Sequence, residues 1–149
     1  LVERCAWAKV EVVLADEREA DRRMALNLGH SLGHAIEAAA GYRGLLHGEA
    51  VALGLRGALA VGRTMGVTPP ARAVRILALL DHLRLGQVGP DLPPAVIRAH
   101  LAADKKVAGG RLRWVLPTAG GITVRADVPD AAVEAGLAAA LAGAGWAAA

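Results

Sequence analysis

Three of the five histidines in this chain, His30, His34 and His47, fall in one short stretch. Imidazole binds divalent metals through a neutral nitrogen and moves protons near neutral pH. His30 and His34 are four residues apart. On a helix they stand one turn apart on one face, with Cβ atoms about 5–6 Å apart. Glycine at 29 and 33 leaves the neighbouring surface bare, so a ligand or another backbone can come close. His47 follows a Gly-Tyr-Arg-Gly loop and stands just before a new apolar run. A histidine at the mouth of one helix is placed to meet those on its predecessor. The pattern describes a metal or an anion held between two consecutive helices.

A zinc-like ion needs three or four N, O or S ligands, and a catalytic site keeps one position open. His30 and His47 supply two. His34 is either a third or an acid–base or phosphate-contacting residue beside the metal. The helix of a zinc protease carries a Glu directly after its first His; here that position is Ser31, which argues against peptide hydrolysis. His82 and His100 sit on amphipathic segments without a partner pattern and read as structural or surface residues.

Lys9, Arg23, Lys105 and Lys106 lie in different segments. Converging on the histidines, they would make a pocket suited to a small phosphorylated or carboxylated substrate. The plainer readings are a surface lysine at Lys9, whose stem covers the core, and an exposed turn at Lys105-Lys106. Glu19 and Arg23, four apart, share a stripe that leads into Asn27 and His30.

The elements that must position these groups are mainly helical. Residues 1–15 read as a helix, although the valines at 10, 12 and 13 would also suit a strand. Asp16 is a cap for the next segment, and the dense charge from Glu17 to Met24 suits an exposed helix. Helices follow at 28–40, ended by Gly41, at about 49–65, at about 70–84 after Pro69-Pro70, and at 94–102. Gly54, Gly57 and Gly62 each cost a helix interior about 1 kcal/mol against Ala and read as close-packing positions. Residues 104–110 read as a loop. Arg111 to Leu116 alternates as a strand does, and Ile122–Arg125 can return as its hairpin partner. A last helix runs from Pro129 to about 142, before an Ala/Gly-rich tail from Gly143 that should fray. The expected fold is a single mainly α domain over 1–149 with one short hairpin at about 111–125.

The 149 residues suffice for one domain, burying roughly 68–70% of the unfolded surface. With three Trp, one Tyr and no Phe, the core must come from Ala, Leu and Val, which suits close helix packing. Net charge is +3 and no Lys/Arg run exceeds two residues, which argues against a nucleic-acid face. No apolar run reaches membrane-span length. The single Cys5 makes no internal disulfide, so a reducing, cytoplasmic setting is expected. The chain opens on Leu in mid-helix and reads as part of a longer protein.

Lys9-Val-Glu-Val-Val, Asp16-Glu17-Arg18-Glu19, Arg23, the run Leu26 to Glu37 and His47-Gly48-Glu49-Ala50-Val51-Ala52 resemble 3-dehydroquinate synthase. So do Asp104-Lys105-Lys106-Val107, Gly110 and Leu112 to Pro117. The resemblance implies conversion of 3-deoxy-D-arabino-heptulosonate 7-phosphate to 3-dehydroquinate and phosphate, in the shikimate pathway of aromatic amino acid biosynthesis. It implies catalytic NAD and a divalent metal, zinc or cobalt, and a homodimeric full-length enzyme. The family has an N-terminal NAD-binding α/β domain and a mainly helical C-terminal one; this chain is similar to the second alone. Residue by residue, His30 and His47 match metal ligands. Lys9, Arg23, Asn27, His34 and Lys106 match substrate contacts. Lys9, Glu19 and His34 match catalytic positions.

The family's third metal ligand is a glutamate upstream of the matched region, and Glu3 does not stand in for it. The Gly-rich nucleotide loop is absent, so the chain alone is expected to be inactive and to leave NAD to the missing half. Ser31 stands where many members have Thr. Other readings are a second sugar-phosphate cyclase, making an inosose or a valiolone, and a non-catalytic helical domain that binds metal or a partner.

Overall fold

The computed structural model describes residues 1–16, 22–107 and 112–145, with the backbone alone at 22 and 105–107. Helix α1 spans Val2–Ala15, so the Val-rich end is helical, and none of its residues is buried. The Asp16 carboxylate accepts the Arg23 N–H at 2.9 Å. It thereby caps a 3-10 helix, Arg22–Asn27. The expected charged helix over 17–24 is replaced by this tighter turn where it is described; Glu19 lies outside the described residues.

Helix α2, His30–Ala39, begins after Gly29, whose φ of 80° is left-handed and suits glycine alone without strain. It ends as expected near Gly41, where Tyr42 N–H reaches the Glu37 carbonyl at 2.8 Å. Helix α3, His47–Thr64, starts with His47 itself, two residues before the expected boundary. The cause is local: the Glu49 carboxylate turns back to accept the Leu46 N–H at 2.9 Å, satisfying a donor that the helix start leaves free.

α3 is the central element, packed against α2, the helix over Asp130–Ala142 (α6), a hairpin strand and the helix over Pro70–His82 (α4). Its contacts with α2 and α6 are made through glycine, as the sequence suggests. A Cβ on Gly54 would strike the Gly29 carbonyl and lie 2.7 Å from Gly33 N. One on Gly57 would lie 2.8 Å from the carbonyl of Gly136 in α6. The helical cost of these glycines is offset by backbone-to-backbone approach.

Helix α4 spans Pro70–His82 and α5 spans Pro94–Val107. The expected loop at 104–107 is corrected to the last turn of α5. Ala, Asp and Lys continue a helix well enough, and the breaking Gly109-Gly110 pair comes only later. Strands β1 (Trp114–Pro117) and β2 (Ile122–Arg125) form the hairpin, with Trp114 opposite Arg125 and Pro117 opposite Ile122. Helix α6 spans Asp130–Ala142. Gly143 is buried, and Ala144 N–H donates to the Gln87 carbonyl at 3.0 Å. The start of the tail is therefore anchored rather than frayed, and residues 146–149 lie outside the described set.

The main core joins Leu32, Ile36, Leu53, Val61, Ile97, Leu116 and Leu137 to Trp114. It lies behind α2 and α3 and fixes their crossing. Among the described residues, no helix is long and apolar enough to cross a membrane.

Candidate metal centre

His30 opens α2, His34 stands one turn on, and His47 opens α3. The glycine crossing brings the three imidazoles together. Ring centroids are 5.3 Å apart for His30–His34 and 5.5 Å for both His30–His47 and His34–His47. His34 and His47 are stacked, while His30 stands edge-on to both. His34 and His47 are more than half exposed.

The Nδ1 atom of every ring faces an acceptor. His30 Nδ1 lies 3.3 Å from the Leu28 carbonyl. His34 Nδ1 and His47 Nδ1 lie 3.1 Å and 3.0 Å from the same oxygen, Oε2 of Glu37. Carbonyl and carboxylate only accept, so neutral rings carry their protons on Nδ1. Each ring then keeps its Nε2 lone pair for a metal or a substrate proton.

Burial holds the His30 pKa below 6.5, against the opposing pull of the Leu28 carbonyl. The ring is neutral at neutral pH, the form that binds metal. Glu37 is held below the usual 4.5, first by the His47 hydrogen bond and then by that from His34, against the opposing effect of its own burial.

These donors suit a divalent metal. Among the described residues, His34, Glu37 and His47 place potential ligand atoms within 4.8 Å of one another. Glu37 faces the Nδ1 side of its two histidines, and the His30 ring, outside that set, has its centroid 5.3 Å from that of His34 and 5.5 Å from that of His47. Imidazole nitrogens on two adjoining helices with an accessible side are donors of the kind a zinc-type site uses.

Glu37 is the residue to which sequence reading gave no role. The available signal was spacing, since His30, His34 and Glu37 fall at i, i+4 and i+7 on one stripe. His100, read as structural or surface, lines a cleft of about 260 Å³ with Ser31, His34, Tyr42 and Asp104. Ser31 Oγ donates to the Arg113 carbonyl at 3.0 Å and ties this end of α2 to the entry of β1.

The other expected contacts lie on the 3-10 helix, α1 and α5. Arg23 and Asn27 are half-buried on the 3-10 helix that leads directly into α2. Lys9 is exposed on α1, which packs chiefly on that 3-10 helix. Lys106 is in the last turn of α5, and its side chain lies outside the described set.

The family described as 3-dehydroquinate synthase C-terminal matches residues 1–107. Among solved structures, the chain is similar to 2-epi-5-epi-valiolone synthase from Streptomyces hygroscopicus subsp. jinggangensis, which has NAD+ and Zn2+ bound. The TM-score is 0.75 at 28% identity, over 93% of this chain and 38% of that one. The chain thus spans well under half of that enzyme's length.

Proposed function

Because the chain belongs to the 3-dehydroquinate synthase C-terminal family of sugar-phosphate cyclases, we propose that it is the metal- and substrate-binding part of a 3-dehydroquinate synthase. The observation that carries this reading is the imidazole cluster, with every Nδ1 engaged. His30 and His47 would hold a divalent metal, which supplies Lewis-acid polarisation of the alcohol to be oxidised, while NAD supplies the hydride acceptor from another part of the enzyme.

This chain's own groups bind and orient. Lys9, Arg23, Asn27 and Lys106 hold the carboxylate and phosphate of 3-deoxy-D-arabino-heptulosonate 7-phosphate. His34 contacts the substrate near its phosphate, and Glu19 is the acidic group of the site. The N-termini of α2 and α3 both open at the cluster, and their dipoles favour an anion there. The substrate's phosphate can itself take the proton during its elimination, so orientation is the protein's main contribution.

α1 supports the reading of a part of a larger enzyme. Trp7, Val10 and Leu14, at i, i+3 and i+7, are 62%, 42% and 70% exposed. This stripe is a surface for the nucleotide-binding part. The whole enzyme is a cytoplasmic homodimer on this reading.

The second reading, a valiolone-type cyclase, is favoured by the solved relative. The test is phosphate release by the full-length protein with NAD and zinc. The expected result is turnover of the heptulosonate phosphate and little of a sugar phosphate lacking the carboxylate. The reverse preference overturns the first reading in favour of the second, and turnover of neither overturns both.

A further inference from the structure

We infer that Glu37 is the positioning residue of this centre: one carboxylate oxygen fixes the tautomer and orientation of His34 and His47 together. The inference deepens the proposed function and rests on its assignment of His47 to the metal and His34 to the substrate.

The argument starts from geometry. Glu37 Oε2 receives both Nδ1–H groups, at 3.1 Å from His34 and 3.0 Å from His47. Two side chains from different helices are thus tied to one atom. The histidines themselves are more than half exposed, whereas the Glu37 side chain is only 12% exposed. The carboxylate is therefore the firmly held member, and the rings take their orientation from it. Glu37 stands near the end of α2, which is closed by the Tyr42 N–H on the Glu37 main-chain carbonyl.

The chemistry follows from the acceptor. An imidazole that gives its Nδ1 proton to a carboxylate presents its Nε2 lone pair in a fixed direction, and partners of this kind tune metal affinity by about 10–100-fold. Here a single carboxylate does this for a metal ligand and for a substrate contact. Metal binding at His47 and substrate binding at His34 are consequently coupled through one residue. No neighbouring group on α2 duplicates it: the next polar positions on the stripe are the histidines themselves.

The test compares the full-length protein with Glu37→Ala and Glu37→Gln. Both bonds go to one oxygen, so the Gln amide oxygen can keep both without the charge, and Ala keeps neither. The first readout needs no metal: ¹⁵N chemical shifts of the imidazoles at about pH 8.5, well above the ordinary histidine range. The expected result is Nδ1–H for His34 and His47 in the wild type and in Glu37→Gln, with the Nε2–H form gaining population in Glu37→Ala. The second readout is zinc affinity, expected to fall about 10–100-fold in Glu37→Ala with one-ion stoichiometry kept at saturation, and less in Glu37→Gln. Nε2–H rings in the wild type overturn the inference without any variant. Unchanged tautomers and affinity in Glu37→Ala do so as well. Loss of stoichiometry at saturating zinc overturns it too, since Glu37 would then be a ligand. Failure of the wild type to bind zinc at all instead rejects the metal assignment of the proposed function.

Discussion

The carbonyl of Gly29 lies against the Cα of Gly54 so closely that no side chain fits between α2 and α3 at that point. This contact sets how near His30 comes to His47. Gly54→Ala is expected to destabilise by about 1–3 kcal/mol, because the helices must separate to admit a methyl group held against backbone. Zinc affinity should fall with it. Gly48 also lies in α3, but a Cβ there meets nothing within 4 Å. Gly48→Ala should therefore raise stability by about 0.4–1 kcal/mol. Thermal unfolding of the two variants checks both signs.

Arg56 is fully buried and is held by Asp81, with its Nη2 atom 2.5 Å from Oδ1, and by the Leu85 carbonyl at 3.2 Å. Among the described residues its Nε and Nη1 have no hydrogen-bond partner. Asp81→Ala leaves a buried guanidinium without its counter-charge and should cost about 1–3 kcal/mol. Arg56→Met replaces the pair with apolar bulk and should be neutral or stabilising. The Arg56 hydrogen bond holds the Asp81 pKa below 3.8. The pair's contribution is therefore complete above pH 3.8 and is lost as pH falls through the depressed value. Denaturant titrations against pH should show that acid loss in the wild type, and a smaller one in Arg56→Met.

Lys9 is exposed on a helix that buries none of its residues. Its replacement by Ala should change stability by no more than about 0.5 kcal/mol. If it holds a substrate anion, kcat/KM of the full-length enzyme should fall about 10–100-fold. Unfolding and steady-state kinetics on one preparation separate the two effects. Unchanged kinetics would return Lys9 to the role of an ordinary surface lysine.

The glycine crossing was readable because glycine inside a helix is costly, so Gly54 and Gly57 needed a reason. The histidine spacing was readable because an i, i+4 pair followed by a third histidine has a simple helical geometry. The role of Glu37 was hidden for a different cause: its partner His47 is on another helix, and only the α2–α3 crossing brings the two together. The end of α5 is not legible in the sequence because Asp104 to Val107 has no strong preference, leaving tertiary context to decide. The buried state of Arg56 was equally unreadable, since its counter-charge, Asp81, is supplied by α4.

The most direct test is the zinc stoichiometry of the full-length protein beside its His30→Ala and His47→Ala variants, each at saturating metal. The account predicts one zinc ion per chain in the wild type and no specifically bound zinc in either variant. Stoichiometric zinc retained by either one would contradict the assignment of His30 and His47 as the ligands that α2 and α3 are packed to present.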